Sequence, residues 1–249
     1  MRALGEGAYA CEIHPDWWVV AGPNGGYLAA IIVRALTAEV PDPPLRSLTI
    51  HYLRVPGAGP AQVQIILERA GRTVTFAAAR FEQGGRPFAL AQAVLALDRE
   101  GFALEAPAPP RVAPPEEIEP IPDAPEAPPF GRHFDYRPAL GGALFSGAAE
   151  ALTGGWLKLR EPSPLDAATL AALSDSWYPA VFATTRAPMA VPTLDLTVHL
   201  RAPLPRPHDW VLGVYRTSAA KDGFLDEDAT LWSHDGELLA QSRQLALAL

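Results

Sequence analysis

The chain has 249 residues, of which 49% are hydrophobic and 19% charged, with a formal net charge of -8. That hydrophobic share is enough for a packed core, which excludes wholesale disorder, and the acidic balance excludes a nucleic-acid partner, because phosphate contacts need clustered Lys and Arg. The longest unbroken apolar run, residues 27–33, falls far short of the roughly 18–20 residues that a membrane-spanning helix requires. Cys11 stands alone, so neither an intramolecular disulfide nor a cysteine-built metal site is expected. The first seven residues carry no apolar core of a secretory signal, and the expected location is the cytoplasm.

In chain order, a helix-like run opens at Gly25-Gly26-Tyr27 and extends to Leu36. A strand follows over residues 48–54, rich in β-branched and aromatic residues, and stops at Val55-Pro56. Strands at 61–69, 73–82 and 87–97 come next, the last two joined through Gly84-Gly85. Residues 101–130 then hold 10 of the 27 prolines. Proline lacks a backbone donor and fixes φ, so this stretch reads as an extended spacer lying over the surface.

The order then repeats. A helix is expected over about 164–177, opened by Ser163 as N-cap, Pro164 at the first helical position and Asp166 at the third. Strands follow at 193–201, which stops at Ala202-Pro203, and at 210–218, 228–233 and 238–247, with a turn at Asp235-Gly236. Arg54-Val55-Pro56 matches Arg201-Ala202-Pro203, and Gly85 matches Gly236. One α+β unit, a helix followed by an antiparallel meander, therefore occurs twice: residues 1–100 and 131–249, separated by the linker at 101–130.

Common active-site signatures are missing. There is no G-x-S-x-G, Walker A or H-E-x-x-H sequence, and the six histidines show no close pair at metal-ligand spacing, so neither a metal nor a cofactor is expected. What remains is asymmetry between the repeats. On a helix over 164–177, Ala168, Ala172 and Asp175 share one face, which aims Asp175 at the sheet among small apolar residues. A carboxylate there is costly unless it is hydrogen-bonded or useful. It either caps the turn before Pro179 or serves chemistry, and both readings stand. In the last strand Gln244 lies where the first repeat has Val94 or Ala93, although a strand glutamine facing solvent is the plain alternative. Thr193, opening its strand, reads equally well as an ordinary β-former.

These residues resemble those of a known family. Asp175 late on its helix, Pro192-Thr193-Leu194-Asp195 opening a strand and Ser242-Arg243-Gln244 in the last strand look like the type II (TesB-like) acyl-CoA thioesterases. The Gly-Gly helix start, the strand over 51–56 and the run over 67–73 agree, so the resemblance covers nearly the whole chain outside the linker. It implies a double hotdog, two tandem hotdog units each with a long helix wrapped by an antiparallel β-sheet. It also implies thioester hydrolysis of a fatty or other acyl-CoA, with Asp175, Thr193 and Gln244 as the catalytic residues, and a homodimer or higher homo-oligomer. The sequence departs from the family where Gly25-Gly26 is followed by Tyr27 and not by Gln, and the connection from Ser176 to Pro192 is short.

Gly25 and Gly26 would let backbone N–H groups approach a developing oxyanion; Trp17, Trp18 and Tyr27 beside them would either line an acyl channel or serve as ordinary core aromatics, the more frequent role of such residues. Coenzyme A phosphates would draw on some of the 18 arginines. Two rivals remain: a non-catalytic acyl-CoA-binding protein, and an enoyl-CoA hydratase. The hydratases of this fold pair Asp with a nearby His, and none follows Asp175.

Overall fold

The computed structural model describes residues 1–125 and 127–249; residue 126, inside the expected linker, lies outside the described residues. The first half supplies β1 (Arg2–Gly5), β2 (Ala8–Ile13), α1 (Gly25–Glu39), β3 (Leu45–Tyr52), β4 (Gly59–Ala70), β5 (Val74–Gln83) and β6 (Arg86–Ala96). The second half supplies β7 (Phe134–Gly141), β8 (Leu152–Leu159), α2 (Ala167–Leu173), β9 (Thr193–Leu200) and β10 (Val211–Arg216). The two-residue β11 (Ala220–Lys221), β12 (Phe224–Ser233) and β13 (Leu238–Leu247) complete it.

All thirteen strands join one sheet, in the order β1-β2-β4-β5-β6-β3-β9-β13-β12-β10-β8-β7, with β11 pairing only β12. The seam is the antiparallel pair β3–β9, where Thr49 faces Thr197 and their hydroxyls lie 3.0 Å apart. Reading outward from that seam, each side runs through the same sequence of elements, so Thr49 and Thr197 mark the centre of a pseudo-two-fold relation. The registers carry the relation further. Ala93 pairs with Leu48, one residue before Thr49, and Gln244 pairs with Leu196, one residue before Thr197. Gln244 is therefore the counterpart of Ala93, not of Val94.

Helix α1 buries Leu28, Ile32, Val33 and Leu36, a 3.6-period stripe, against β3, β4 and β5. Each such side chain taken from water stabilises the fold by roughly 1.5–3 kcal/mol. Helix α2 is buried on all sides, Ala168 through Leu173, and packs mainly against α1. It is shorter than the sequence suggests, at seven residues. Its N-cap is Asp166, which accepts the Thr169 N–H at 2.9 Å, and not Ser163. The reason lies just upstream: Leu165 and Arg206 exchange both backbone hydrogen bonds, at 2.9 Å each, and keep the chain extended up to Asp166.

The proline-rich stretch has no strand among its described residues and lies across the outer face of the second half. Val112 and Ile118 pack on Trp156, Leu212 and Trp232, and the Trp156 indole donates to the Ala113 carbonyl at 2.9 Å. On the first half, Ile66, Phe76 and Leu90 remain exposed.

Candidate active site

The start of α1 meets the end of α2. Asn24 caps α1 by accepting the Tyr27 N–H at 2.8 Å, and α1 begins with two glycines because the other helix end is too close for a side chain. A Cβ on Gly26 would lie 2.6 Å from the Ala172 carbonyl oxygen, and one on Gly25 would lie 2.9 Å from an oxygen of Asp175.

Asp175 is not on the helix, contrary to the pattern read from sequence. Helix α2 ends at Leu173, and side chains from elsewhere take the carbonyls of Leu173 and of the turn that follows it. Tyr215 of β10 donates to the Leu173 carbonyl at 2.6 Å, and Tyr136 of β7 donates to that of Ser176 at 2.7 Å. The Asn24 amide donates to the Asp175 carbonyl at 2.7 Å. Trp177 is fixed by its own donation to Thr153 at 2.9 Å and by stacking on Tyr215. The chain is thus drawn off the helical path, and the Asp175 carboxylate turns back toward the start of α1.

That carboxylate is partly buried and accepts hydrogen bonds on both oxygens. Oδ2 takes the Gly26 N–H at 2.8 Å and the Asn24 amide at 3.2 Å; Oδ1 takes the Gln244 Nε2 at 2.9 Å. Burial pushes the carboxyl above its ordinary value, while the donors Gln244, Gly26, Asn24 and Gly25 pull against that shift. The positive end of the α1 dipole faces the same carboxylate. Tyr52, partly buried against the core, donates to the Gly25 carbonyl at 2.8 Å, and burial followed by the Asp175 charge holds its phenol well above the ordinary value.

Gln244 is buried, 4% exposed, and its amide is fully oriented. A carboxylate only accepts, so Nε2 faces Asp175, which leaves Oε1 to accept the Thr193 hydroxyl at 2.8 Å. Thr193 would point outward by simple alternation from Leu196. A register shift between β9 and β13, with Leu245 opposite Asp195 and Ala246 opposite Thr193, leaves Leu194 as the extra residue and turns Thr193 inward. The same irregularity recurs in the first half between Leu45 and Ser47, where Leu45 is Thr193's counterpart. With Asn24 and Asp166 as matching N-caps, Asp175 corresponds to Val33. One half therefore presents Asp, Thr and Gln where the other presents Val, Leu and Ala.

Asp175, Thr193, Gln244, Gly25 and Gly26 thus come together. The Gly26 N–H donates to Asp175 in this structure. Tyr27 belongs to the helix start: its ring stacks on Trp17 at 4.6 Å and its hydroxyl donates to the Glu12 carbonyl at 3.2 Å. Trp18 packs against the core and bridges to Pro23. Asn24 and Tyr52 escaped the sequence reading. An asparagine directly before a Gly-Gly helix start was the available signal for the first, and nothing local marked the second. Among the described residues no cluster of His, Cys, Asp and Glu fits a metal ion.

Residues 14–96 match the model of the acyl-CoA thioesterase N-terminal domain, and residues 115–248 match that of the acyl-CoA thioesterase C-terminal domain. No curated protein matches the chain. Among solved structures, a hot dog fold protein from Alicyclobacillus acidocaldarius is similar, with 26% identity, a TM-score of 0.89, and coverage of 97% of this chain and 93% of that one. A candidate thioesterase II from Thermobifida fusca has 27% identity and a TM-score of 0.85, covering 100% of this chain and 94% of that one. The acyl-CoA thioesterase II TesB2 from Mycobacterium marinum shares the fold, at 20% identity and a TM-score of 0.79, over 100% of this chain and 95% of that one.

Proposed function

The chain belongs to the acyl-CoA thioesterase family, matched in both the N- and C-terminal domains, and from that premise we propose that it hydrolyses the thioester of an acyl-CoA by water that Asp175 deprotonates. The observation that carries this reading is the hydrogen-bonded line Asp175–Gln244–Thr193, present in one half and replaced by apolar residues in the other. Asp175 Oδ1 and the Thr193 oxygen each keep a lone pair that accepts from one water. With its proton passing to Asp175, the water oxygen bonds to the thioester carbon; the C–S bond then breaks and the proton held by Asp175 passes to the departing sulfur, giving a carboxylic acid and the coenzyme A thiol. The second Nε2 hydrogen of Gln244 is available to the carbonyl oxygen as it gains charge. General-base assistance of this kind contributes roughly 10²- to 10⁴-fold.

The same reading takes residues 1–100 and 131–249 as two tandem hotdog units joined by the linker at 101–130. Trp18 and Tyr27, beside the start of α1, flank the acyl group. The protein works in the cytoplasm as a homodimer or higher homo-oligomer. No helix among the described residues is long and apolar enough to cross a membrane.

The test is thiol release from a panel of acyl-CoAs of different chain length, comparing wild type with Asp175→Asn and Gln244→Ala. Steady release by wild type and a loss of about 10²-fold or more in Asp175→Asn, with an unchanged melting temperature, is the expected result. Wild-type rates in Asp175→Asn would remove the base assignment. Absence of release with any acyl length, alongside retained acyl-CoA binding, would make this a binding protein.

A further inference from the structure

Glu227 is a buried acid that the reaction does not use. It stands on β12 directly across from Gln244, faces the interior and is 6% exposed. Its Oε2 accepts the Ala180 N–H at 2.6 Å, and Ala180 opens the short 3-10 turn Ala180–Ala183 in the segment that follows Asp175. Its counterpart in the first half is Ala77, which pairs with Ala93. Glu227 therefore belongs to the same asymmetry that distinguishes Asp175, Thr193 and Gln244.

The titratable groups around it are all acidic: Asp175 from the segment after α2 and Tyr215 from β10 lie on its side of the sheet, and Asp226 and Asp228 flank it on its own strand but point to the other face. The Tyr215 hydroxyl is committed to Leu173. The nearby cation Arg243 is held by Asp226 and Asp228, and among the described residues no cation pairs with Glu227.

We propose that Glu227 is a positioning residue: through the Ala180 N–H it pins the segment that follows Asp175 to the strand beside that of Gln244, and so holds the Asp175–Gln244 hydrogen bond in place. The inference rests on the reading of Asp175 as the base. It has a consequence in charge. Burial, then the neighbouring carboxylates, push the Glu227 carboxyl up to about 8, so it is neutral at and below neutral pH. Ionised at higher pH, it sets an unbalanced negative charge in the interior where the carbonyl oxygen gains negative charge, and this disfavours the transition state. Activity therefore declines on the alkaline side.

The experiment measures kcat and KM for thiol release from about pH 6 to about pH 10, with spontaneous hydrolysis subtracted, in wild type, Glu227→Gln, Glu227→Leu and Asp175→Asn. Wild-type kcat is expected to fall above about pH 8. Glu227→Leu, lacking the acceptor, loses roughly tenfold in kcat at neutral pH with little change in KM. Glu227→Gln accepts the same N–H without a charge; it recovers most of that kcat and shows no alkaline fall. An alkaline fall that persists in Glu227→Gln overturns the inference, as does wild-type kcat in a folded Glu227→Leu. Should Glu227→Leu fail to fold, the Glu227→Gln profile decides alone. Wild-type rates in Asp175→Asn would overturn the underlying reading, whereas an inactive Asp175→Asn beside an unaltered Glu227→Gln profile overturns the role of Glu227 only.

Discussion

Asn24 is the side chain with the most to lose at the site, because one amide group caps α1 with its oxygen and holds both the carbonyl and the carboxylate of Asp175 with its nitrogen. Asn24→Ala removes an N-cap worth about 1 kcal/mol, which a urea titration would register as a lower midpoint. It also removes a donor that favours the ionised carboxylate. Asp175 must be ionised to accept a proton, and burial already places its titration above the ordinary value. Losing the donor moves the acid limb of kcat/KM to still higher pH, and an unmoved limb would show that Asn24 has no hold on the carboxylate. For Thr193→Val, loss of a net hydrogen bond of about 1 kcal/mol corresponds to a roughly fivefold lower kcat/KM, with Thr193→Ser close to wild type. Contrast between the repeats singled out Asp175 and Gln244, and Thr193 entered only through the family resemblance. The sequence hid Asn24 and Glu227 because their importance depends on partners far along the chain: Asp175 for the first, and for the second Ala180 across the sheet interior.

Among the elements, α1 and the strands of both meanders were legible, because periodic apolar residues and Gly or Pro punctuation fix them locally. Helix α2 was misjudged at both ends for one reason. Its local pattern supports a helix from Ser163 to Trp177, but tertiary hydrogen bonds decide where it starts and stops. The Leu165–Arg206 bridge delays the start, and Tyr215, Tyr136 and Asn24 hold the turn that follows the end. Tyr215→Phe tests this. It removes one donor from the buried Leu173 carbonyl, which Ser176 also serves, and should destabilise the protein by about 0.5–1.5 kcal/mol in denaturant unfolding, while a phenylalanine with no effect would mean that the Tyr215 hydroxyl does not hold this turn. The bulge at Leu194 was equally invisible, since two-residue alternation carries no mark of an inserted residue until its partner strand is known.

At the scale of the molecule, the site cannot be assigned to either half. Asp175, Thr193 and Gln244 come from the second, whereas Asn24, Gly25, Gly26 and Tyr52 come from the first. A fragment of residues 131–249 is expected to release no thiol even when folded, and mixing with residues 1–100 should restore release if the β3–β9 seam reforms. Stability should also depend on pH through Glu227. Its carboxyl is neutral in the fold up to about 8 but ionises near the ordinary 4.5 in the unfolded chain. The folded state then binds the extra proton, so its stability falls as pH rises across that window and levels off above it. The gap in urea midpoint between Glu227→Gln and wild type should widen from about pH 5 to about pH 8, and a constant gap would contradict the burial of a neutral acid. Repetition along the chain was legible from its matched punctuation. Pairing of the two units' sheets within one chain followed from that duplication, but the choice of β3 and β9 as the seam did not, because nothing in either strand alone says which edge it will meet.

The seam at Thr49 and Thr197 has a consequence for heredity. Were the two sides identical subunits, every substitution would appear on both, and no residue could change on one side while its counterpart stayed as it was. Joined in one chain, positions 33 and 175, 45 and 193, and 93 and 244 are inherited separately. One set is free to drift toward whatever packs best while the other keeps its polar residues.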